Sequence, residues 1–288
     1  MAEEIKNIGA SVRARLLNFS RDKGLLFELV LTRYAVERLL YRLANSPHAE
    51  RFVLKGAMLL MTWFEEPFRG TRDLDLLGQG DPAPEAVLAI FREILAIDEP
   101  DGVSFDAEGT RIDRIREDTE YGGVRIRTTA EIGGARIPVS VDVGFGDVTE
   151  PAAQMLDYPI LLDMPAPRLR GYARETVVAE KFQAIVILGQ ANSRVKDYYD
   201  LWVMSRYFTF DEDRLASAIA ATFARRRTAI PSQTPEGLTH AFAEDPQKQA
   251  QWERFKKDVT IDPGSLSDVV AALEPFLMQS AGAARAVK

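Results

Sequence analysis

The sequence contains no cysteine and only two histidines among its 288 residues. Without cysteine the chain has no disulfide bonds and no thiolate metal sites, and a reducing compartment is compatible with this composition. The two histidines, His48 and His240, lack the spacing of metal ligands, and we assign them no role.

Long apolar segments are also absent. No run of about 18 apolar residues occurs, so we expect no transmembrane helix and no membrane partner. The segment Met1–Lys6 is charged and is not followed by the apolar stretch of a secretory signal, so we expect a cytoplasmic location.

The chain has no excess of basic residues. Its net charge is −7 and its isoelectric point is about 5.1, which argues against a protein that coats nucleic acid generally. A local basic groove is still compatible with this balance, and solvated surface charge is the alternative. The candidate groups are Arg111, Arg114 and Arg116 with Arg125 and Arg127; Arg168, Arg170 and Arg174; and Arg225, Arg226 and Arg227.

The pattern of the chain predicts an α+β protein. Its 46% hydrophobic and 27% charged residues are typical of a globular protein with one large or two modest domains. We expect a small mixed β-sheet core with helices over residues 1–150, and a linker and helical bundle over 151–288 that completes an active-site cleft. The prolines from Pro151 to Pro167 indicate an extended connection. Pro275 is expected to kink or shorten the last helix, and the tail after Gln279 to fray.

Two aspartates stand in an apolar run that reads as a strand over residues 72–77. Asp73 and Asp75 are spaced i, i+2, so their side chains lie on the same side of a strand. Adjacent carboxylates suit a hard divalent cation such as Mg²⁺. Upstream, Gly56 is at the start of a predicted helix, where free backbone N–H groups can hold a polyphosphate. Together these features suggest nucleotidyl transfer; the alternative for the Asp-x-Asp pair is exposed acids at a strand end.

Asp142 is a third candidate acid. It lies on the polar face of a predicted strand over residues 136–143, whose other face is apolar. A charge there must be solvated in a cleft or paired. If this strand neighbours the one with Asp73, three carboxylates converge around a cation, and Asp142 could also orient or deprotonate an attacking hydroxyl. A structural pair with an arginine such as Arg127 is the alternative.

Two lysines on predicted helices are candidate phosphate ligands. Lys181 lies in an apolar stripe, where it either faces an anion or extends along the surface to reach solvent. Lys196 and Asp200 are spaced i, i+4, and Asp197 and Asp200 are spaced i, i+3, so each pair shares a helix face. The functional interpretation places Lys196 on a phosphate with Asp197 or Asp200 orienting it. The alternative is an ordinary helix salt bridge.

These motifs together resemble the AbiEii/AbiGii-type nucleotidyltransferase toxins, a family that includes the MenT toxins and has a polymerase-β-like core. The resemblance covers residues 52–202 in the family's order. The matching runs are Phe52-Val53-Leu54-Lys55-Gly56, Thr71-Arg72-Asp73-Leu74-Asp75-Leu76-Leu77, Val141-Asp142-Val143-Gly144-Phe145-Gly146-Asp147, Val178-Ala179-Glu180-Lys181 and Lys196-Asp197-Tyr198-Tyr199-Asp200-Leu201-Trp202.

The resemblance implies an enzyme that uses a nucleoside triphosphate donor, Mg²⁺ and an RNA acceptor, which in the MenT branch is the tRNA 3′ end. It implies a toxin of a toxin–antitoxin or phage-defence system, with the antitoxin protein encoded nearby. The resemblance implies that Asp73, Asp75 and Asp142 are the metal ligands. It implies that these three acids, together with Lys181 and Asp200, are the catalytic residues. The nucleotide-binding residues are Lys55, Gly56, Ala57, Lys181 and Lys196.

Other functions on the same core remain open at this point. The acceptor could be a protein side chain or a small molecule, since the core motifs do not separate these from RNA. A non-catalytic binding module on the same fold is a third reading, against which the presence of all three acids argues. Where many family members have Gly-Gly or Gly-Ser, this chain has Gly56-Ala57, which offers backbone N–H groups but no hydroxyl.

Overall fold

In a computed structural model of the protein, the described residues are 7–64, 69–71, 73–115 and 122–287. They fall into two compact units. The first contains the described residues of Met1–Glu66, Thr71–Gly146 and Gln154–Gly171, and the second those of Pro67–Gly70, Asp147–Ala153 and Tyr172–Lys288. Three parts of the sequence interpretation lie outside the described residues: the segment 1–6, Arg72 of the predicted strand and Arg116 of a predicted basic group.

The first unit combines four helices and a mixed sheet within its described residues. The helices are α1 (Ile8–Lys23), α2 (Phe27–Ala44), α3 (Gly56–Leu60) and α4 (Pro84–Leu95). The strands are β1 (Phe52–Lys55), β2 (Asp73–Gly78), β3 (Val103–Phe105), β4 (Arg111–Ile115), β5 (Gly123–Ile132), β6 (Ala135–Phe145), β7 (Gln154–Asp157) and β8 (Arg168–Gly171).

The order of strands in the sheet is β3-β5-β6-β2-β1-β8-β7, with β4 also paired to β5. Strand β2 is parallel to β6 and antiparallel to β1, so it lies between one strand that precedes it closely in sequence and one that follows about 60 residues later. Strands β5 and β6 form an antiparallel hairpin across Gly133 and Gly134, both of which have positive φ. Two consecutive glycines suit this turn, because glycine adopts that conformation without steric cost.

The apolar face of the sheet explains why the acids face the other way. In β6, Ile137, Val139, Val141 and Val143 are buried, whereas Ser140 and Asp142 are only half-buried. Helix α2, most of which is buried, contacts this strand. Burial of alternate residues therefore fixes which side of β6 is core, and it leaves the side with Asp142 for polar chemistry.

The second unit is helical among its described residues. Its helices are α5 (Arg174–Leu188), α6 (Val195–Tyr207), α7 (Glu212–Arg225), α8 (His240–Ala243), α9 (Pro246–Phe255) and α10 (Leu266–Ala284). Helix α10 contacts α6 and α7, and α5 contacts α7. Phe182 of α5 packs against Phe223 of α7 with ring centroids 5.4 Å apart, and both rings are buried. These apolar contacts provide the core of this unit.

The predicted mixed sheet followed by C-terminal helices is confirmed. The extended connection between Pro151 and Pro167 was only partly right, because it contains β7, which pairs with β8 at the sheet edge. Helix α10 continues through Pro275 to Ala284, so the expected shortening and the fraying after Gln279 are wrong. A division at residue 150 stays a prediction. Among the described residues, no helix is long and apolar enough to cross a membrane.

Candidate active site

The turn from β1 into α3 places Gly56 directly against Asp75. Gly56 has φ 68°, a left-handed conformation that favours glycine. A Cβ atom at this position would lie 2.1 Å from Oδ2 of Asp75, so no other side chain fits without moving the carboxylate. Helix α3 has only five residues, and its dipole contributes little. The observed reason for glycine is therefore space for the Asp75 carboxylate.

The strand register brings the three predicted acids together on one sheet face. Asp75 is the partner of Lys55 on the antiparallel neighbour β1, and of Asp142 on the parallel neighbour β6. Asp73 is partnered by Ser140, two residues before Asp142. Neighbouring strands are about 5 Å apart, so Asp73, Asp75 and Asp142 form one group of carboxylates on adjacent strands. We call this group the carboxylate cluster.

The carboxylate cluster is accessible. Asp73 is exposed and Asp75 is half-buried, whereas Leu74 and Leu76 between and beside them are buried. The side chain of Asp142 retains 21% of its exposure. These acids are therefore reachable from solvent while the residues that alternate with them anchor their strands in the core.

Arg125 of β5 is bonded to the third acid. Its Nε lies 2.7 Å from Oδ1 of Asp142 and its Nη2 lies 2.6 Å from Oδ2, a bidentate pair. The hydrogen bonds to Asp142 raise the pKa of Arg125, and the charges of Asp142, Asp73 and Asp75 add to this effect. The alternative of a structural arginine partner for Asp142 is thus what the structure contains, with Arg125 in place of Arg127, which pairs with Asp113.

The chemistry of the donors suits a divalent cation, but their arrangement is not that of a finished metal site. Three carboxylates on one face are the hard oxygen ligands that Mg²⁺ prefers. Within the described residues, no three Asp, Glu, His or Cys side chains form a group that could hold a metal ion as they stand. Both oxygens of Asp142 are engaged by Arg125. The donor set therefore fits Mg²⁺ once Asp142 is released.

The second unit contains a buried ion cluster made by Lys181, Asp197, Asp200 and Arg69. Nζ of Lys181 is 2.9 Å from Oδ2 of Asp200 and also contacts Asp197. Nε and Nη2 of Arg69 lie 2.7 and 2.8 Å from the two oxygens of Asp200. The side chain of Asp200 is completely buried. We call these four residues the buried ion cluster.

Proton affinities in the buried ion cluster follow from its charges. Burial favours the neutral form of Lys181, but the carboxylates of Asp197 and Asp200 outweigh it and raise the pKa of the lysine. Burial would raise the pKa of Asp200, but Lys181 and Arg69 lower it to about 2. Lys181 and Asp200 are therefore both charged at neutral pH.

Lys196 stands apart from the buried ion cluster. It is exposed, and it makes no ion pair with any residue in the described part of the chain. The alternative, a helix salt bridge between Lys196 and Asp200, does not form, since Asp200 pairs with Arg69 and Lys181. Lys196 is thus a cation on the surface of α6, whereas Lys181 already has two carboxylate partners.

The sequence did not reveal the carboxylate partners of three arginines. Arg226, placed in a possible basic groove, lies 2.9 Å from Asp147 and 3.2 Å from Glu180 within the second unit. No sequence pattern pointed to a partner for Arg69, because single arginines are common in irregular segments. The pairing of Arg125 with Asp142 could have been predicted, because Arg125 shares a strand face with Arg127 and faces the polar side of the next strand.

Residues 38–275 match the family described as "Nucleotidyl transferase AbiEii toxin, Type IV TA system". A candidate nucleotidyltransferase from H. pylori has a crystal structure similar to this chain, with TM-score 0.47 and 14% identity over 94% of this chain and 97% of its own. JHP933 from Helicobacter pylori has TM-score 0.48 and 14% identity, over 94% and 93% respectively. No curated protein matches the chain.

The family match confirms the resemblance found in the motifs, and it spans both units of the chain rather than a single motif. It starts within α2, includes the carboxylate cluster and the buried ion cluster, and ends within α10. The protein is therefore a nucleotidyltransferase that belongs to the AbiEii toxin family of type IV toxin–antitoxin systems.

Proposed function

We propose that this enzyme transfers a nucleoside monophosphate from a nucleoside triphosphate to an RNA acceptor, using Mg²⁺ held at the carboxylate cluster. The observation that carries the proposal is the register that aligns Asp75 with Asp142 and places Asp73 beside them. We propose the tRNA 3′ end as the acceptor, phage defence as the setting and the cytoplasm as the location. The antitoxin partner is proposed to be a protein encoded nearby.

In the proposed reaction a terminal ribose hydroxyl attacks the α-phosphate. A new O–P bond forms, the bond to the β-phosphate breaks, and pyrophosphate leaves. The carboxylate cluster orients the hydroxyl, and Asp142, once released from Arg125, can take its proton. Bound Mg²⁺ would supply neutralisation of the phosphate charge and a lower pKa for the attacking hydroxyl.

The other residues that the family resemblance assigns to the site have different proposed roles. Lys55 and the backbone at Gly56 and Ala57 adjoin Asp75, and we propose that they contact the donor triphosphate. Lys196, which is exposed, is proposed to bind a donor phosphate directly. Lys181 and Asp200 already bind each other in the buried ion cluster. We therefore propose that they orient α6, the helix on which Lys196 lies.

The identity of the acceptor can be tested with labelled donors. Purified enzyme is incubated with each α-³²P nucleoside triphosphate, total cell RNA and total cell protein, with Mg²⁺ or with EDTA. We expect label in RNA only, at the size of tRNA, and none with EDTA. Label in protein or in a small molecule would overturn the RNA proposal, and absence of both transfer and nucleotide binding would favour a non-catalytic binding module.

Gly56→Ala is expected to lower nucleotidyl transfer by about 10²-fold or more, because the new Cβ displaces the Asp75 carboxylate and misplaced catalytic groups cost this much. Initial rates with a labelled donor measure the effect. Gly282→Ala in α10 is the matched control, since its Cβ would meet only Arg285, at 3.9 Å. Wild-type rates for Gly56→Ala would show that the position of Asp75 does not matter.

A further inference from the structure

Arg125 takes both oxygens of one acid in the carboxylate cluster. The two contacts of 2.7 and 2.6 Å have the geometry of a planar guanidinium matched to a carboxylate. Asp142 on β6 and Arg125 on β5 are direct cross-strand partners, so the sheet itself holds the pair together. This pair is built into the backbone register and does not depend on a chance side-chain conformation.

The position of Arg125 also concerns the other two acids. Along one row of the sheet, Asp75, Asp142 and Arg125 follow one another on adjacent strands, and Asp73 lies one row away. The guanidinium is therefore within electrostatic range of all three carboxylates. Without a cation these acids repel one another. Arg125 is a positive group placed against Asp142, as Lys55 is the strand partner of Asp75.

We infer that Arg125 is the resting counter-ion of the carboxylate cluster and that a divalent cation must displace its guanidinium from Asp142 before all three acids can bind the cation. This inference depends on the proposed role of the cluster in holding Mg²⁺. It explains why the three acids do not form a metal-binding group as they stand, although they share one face of adjacent strands.

The physical reason is direct competition for the same oxygens. A bound Mg²⁺ lies about 2.1 Å from each ligand oxygen, and the guanidinium of Arg125 cannot keep both of its contacts with Asp142 at the same time. The two positive charges also repel at this distance. Arg125 therefore lowers the affinity of the free enzyme for the metal and sets the concentration at which the site fills.

Metal affinity measures this competition without any turnover. Mn²⁺ binding is followed by calorimetry and by electron paramagnetic resonance in the wild type, Arg125→Gln and Arg127→Gln. We expect Arg125→Gln to bind Mn²⁺ about tenfold more tightly than the wild type, since one competing charge is removed. Arg127→Gln is the matched control and should differ from the wild type by less than about twofold, because Arg127 pairs with the exposed Asp113.

The outcomes separate this inference from the proposed function. Asp75→Asn should abolish Mn²⁺ binding; if it does not, the metal is elsewhere and the proposed function loses its site. If Asp75→Asn abolishes binding but Arg125→Gln binds Mn²⁺ no more tightly than the wild type, only the role of Arg125 is overturned.

A spectroscopic measurement on the wild type covers the case in which Arg125→Gln fails to fold. The Nε–H resonance of Arg125, assigned by its loss in Arg125→Lys, is followed during addition of Mg²⁺. We expect it to shift as the metal binds, because its hydrogen bond to Asp142 is broken. A resonance unchanged at saturating Mg²⁺ would contradict displacement.

Discussion

Asp75→Asn is expected to reduce nucleotidyl transfer by about 10³-fold or more while the protein stays folded. Asparagine keeps the shape of the side chain but removes the charge that a metal ligand needs. Asp75 lies at the centre of the carboxylate cluster, with Lys55 on one side and Asp142 on the other. We expect Asp73→Asn to have a similar effect, measured as initial rates with a labelled donor.

Stability separates this effect from unfolding. Since Asp75 lies between Lys55 and Asp142, the charges on its two sides act in opposite directions, and Asp75→Asn should leave the melting temperature close to that of the wild type. Asp113→Asn is the control, because it changes an acid in the same row of the sheet but beyond Arg125, and it should retain wild-type rates. Full activity in both Asp73→Asn and Asp75→Asn would remove the carboxylate cluster from the mechanism.

Asp200→Asn is expected to destabilise the protein by about 3–5 kcal/mol, the range found when one partner of a buried ion pair is removed. The completely buried carboxylate accepts two hydrogen bonds from Arg69 and contacts Lys181. Its loss leaves Arg69 without that partner and Lys181 with Asp197 alone. Urea denaturation at pH 7 measures the free energy of unfolding. A change below about 1 kcal/mol would show that the buried ion cluster contributes little.

Acid denaturation gives a second measure of the same group. The pKa of Asp200 is lowered from 3.8 to about 2 in the folded protein, so its stabilising effect is present above pH 3.8 and is lost as the pH falls towards 2. The wild type should lose more stability over this interval than Asp200→Asn. Asp197→Asn is the matched control and should cost less, because Asp197 is only half-buried and leaves Lys181 paired with Asp200.

Much of the fold could be predicted from patterns of residues that are close together in the sequence. The alternation in β6 predicted which residues are buried, and the run around Asp73 and Asp75 predicted a strand. Such patterns depend on side chains close in sequence, which a single strand or helix reflects directly. Strand β7 was not visible in the same way, because it is short and mostly exposed and so carries no alternation.

The partners of the site residues could not be obtained in this way. The pairing of Asp75 with Asp142 depends on a parallel contact between distant segments, and sequence spacing alone leaves that register open. The burial of Asp200 depends on Arg69 from an irregular segment, and the helix pattern could only leave open a local salt bridge with Lys196, which does not form. The sequence therefore predicted which charged residues belong to the candidate site. It could not predict which residues they pair with, because those pairs form only in the folded structure.

A growing chain acquires its third carboxylate late. When β2 has been synthesised, β1 is its only sheet neighbour already made, and β6 follows after α4 and the strands up to β5. Pairing of distant segments is slow because a long loop must close first. The carboxylate cluster is therefore complete only after β6 has left the ribosome and paired with β2.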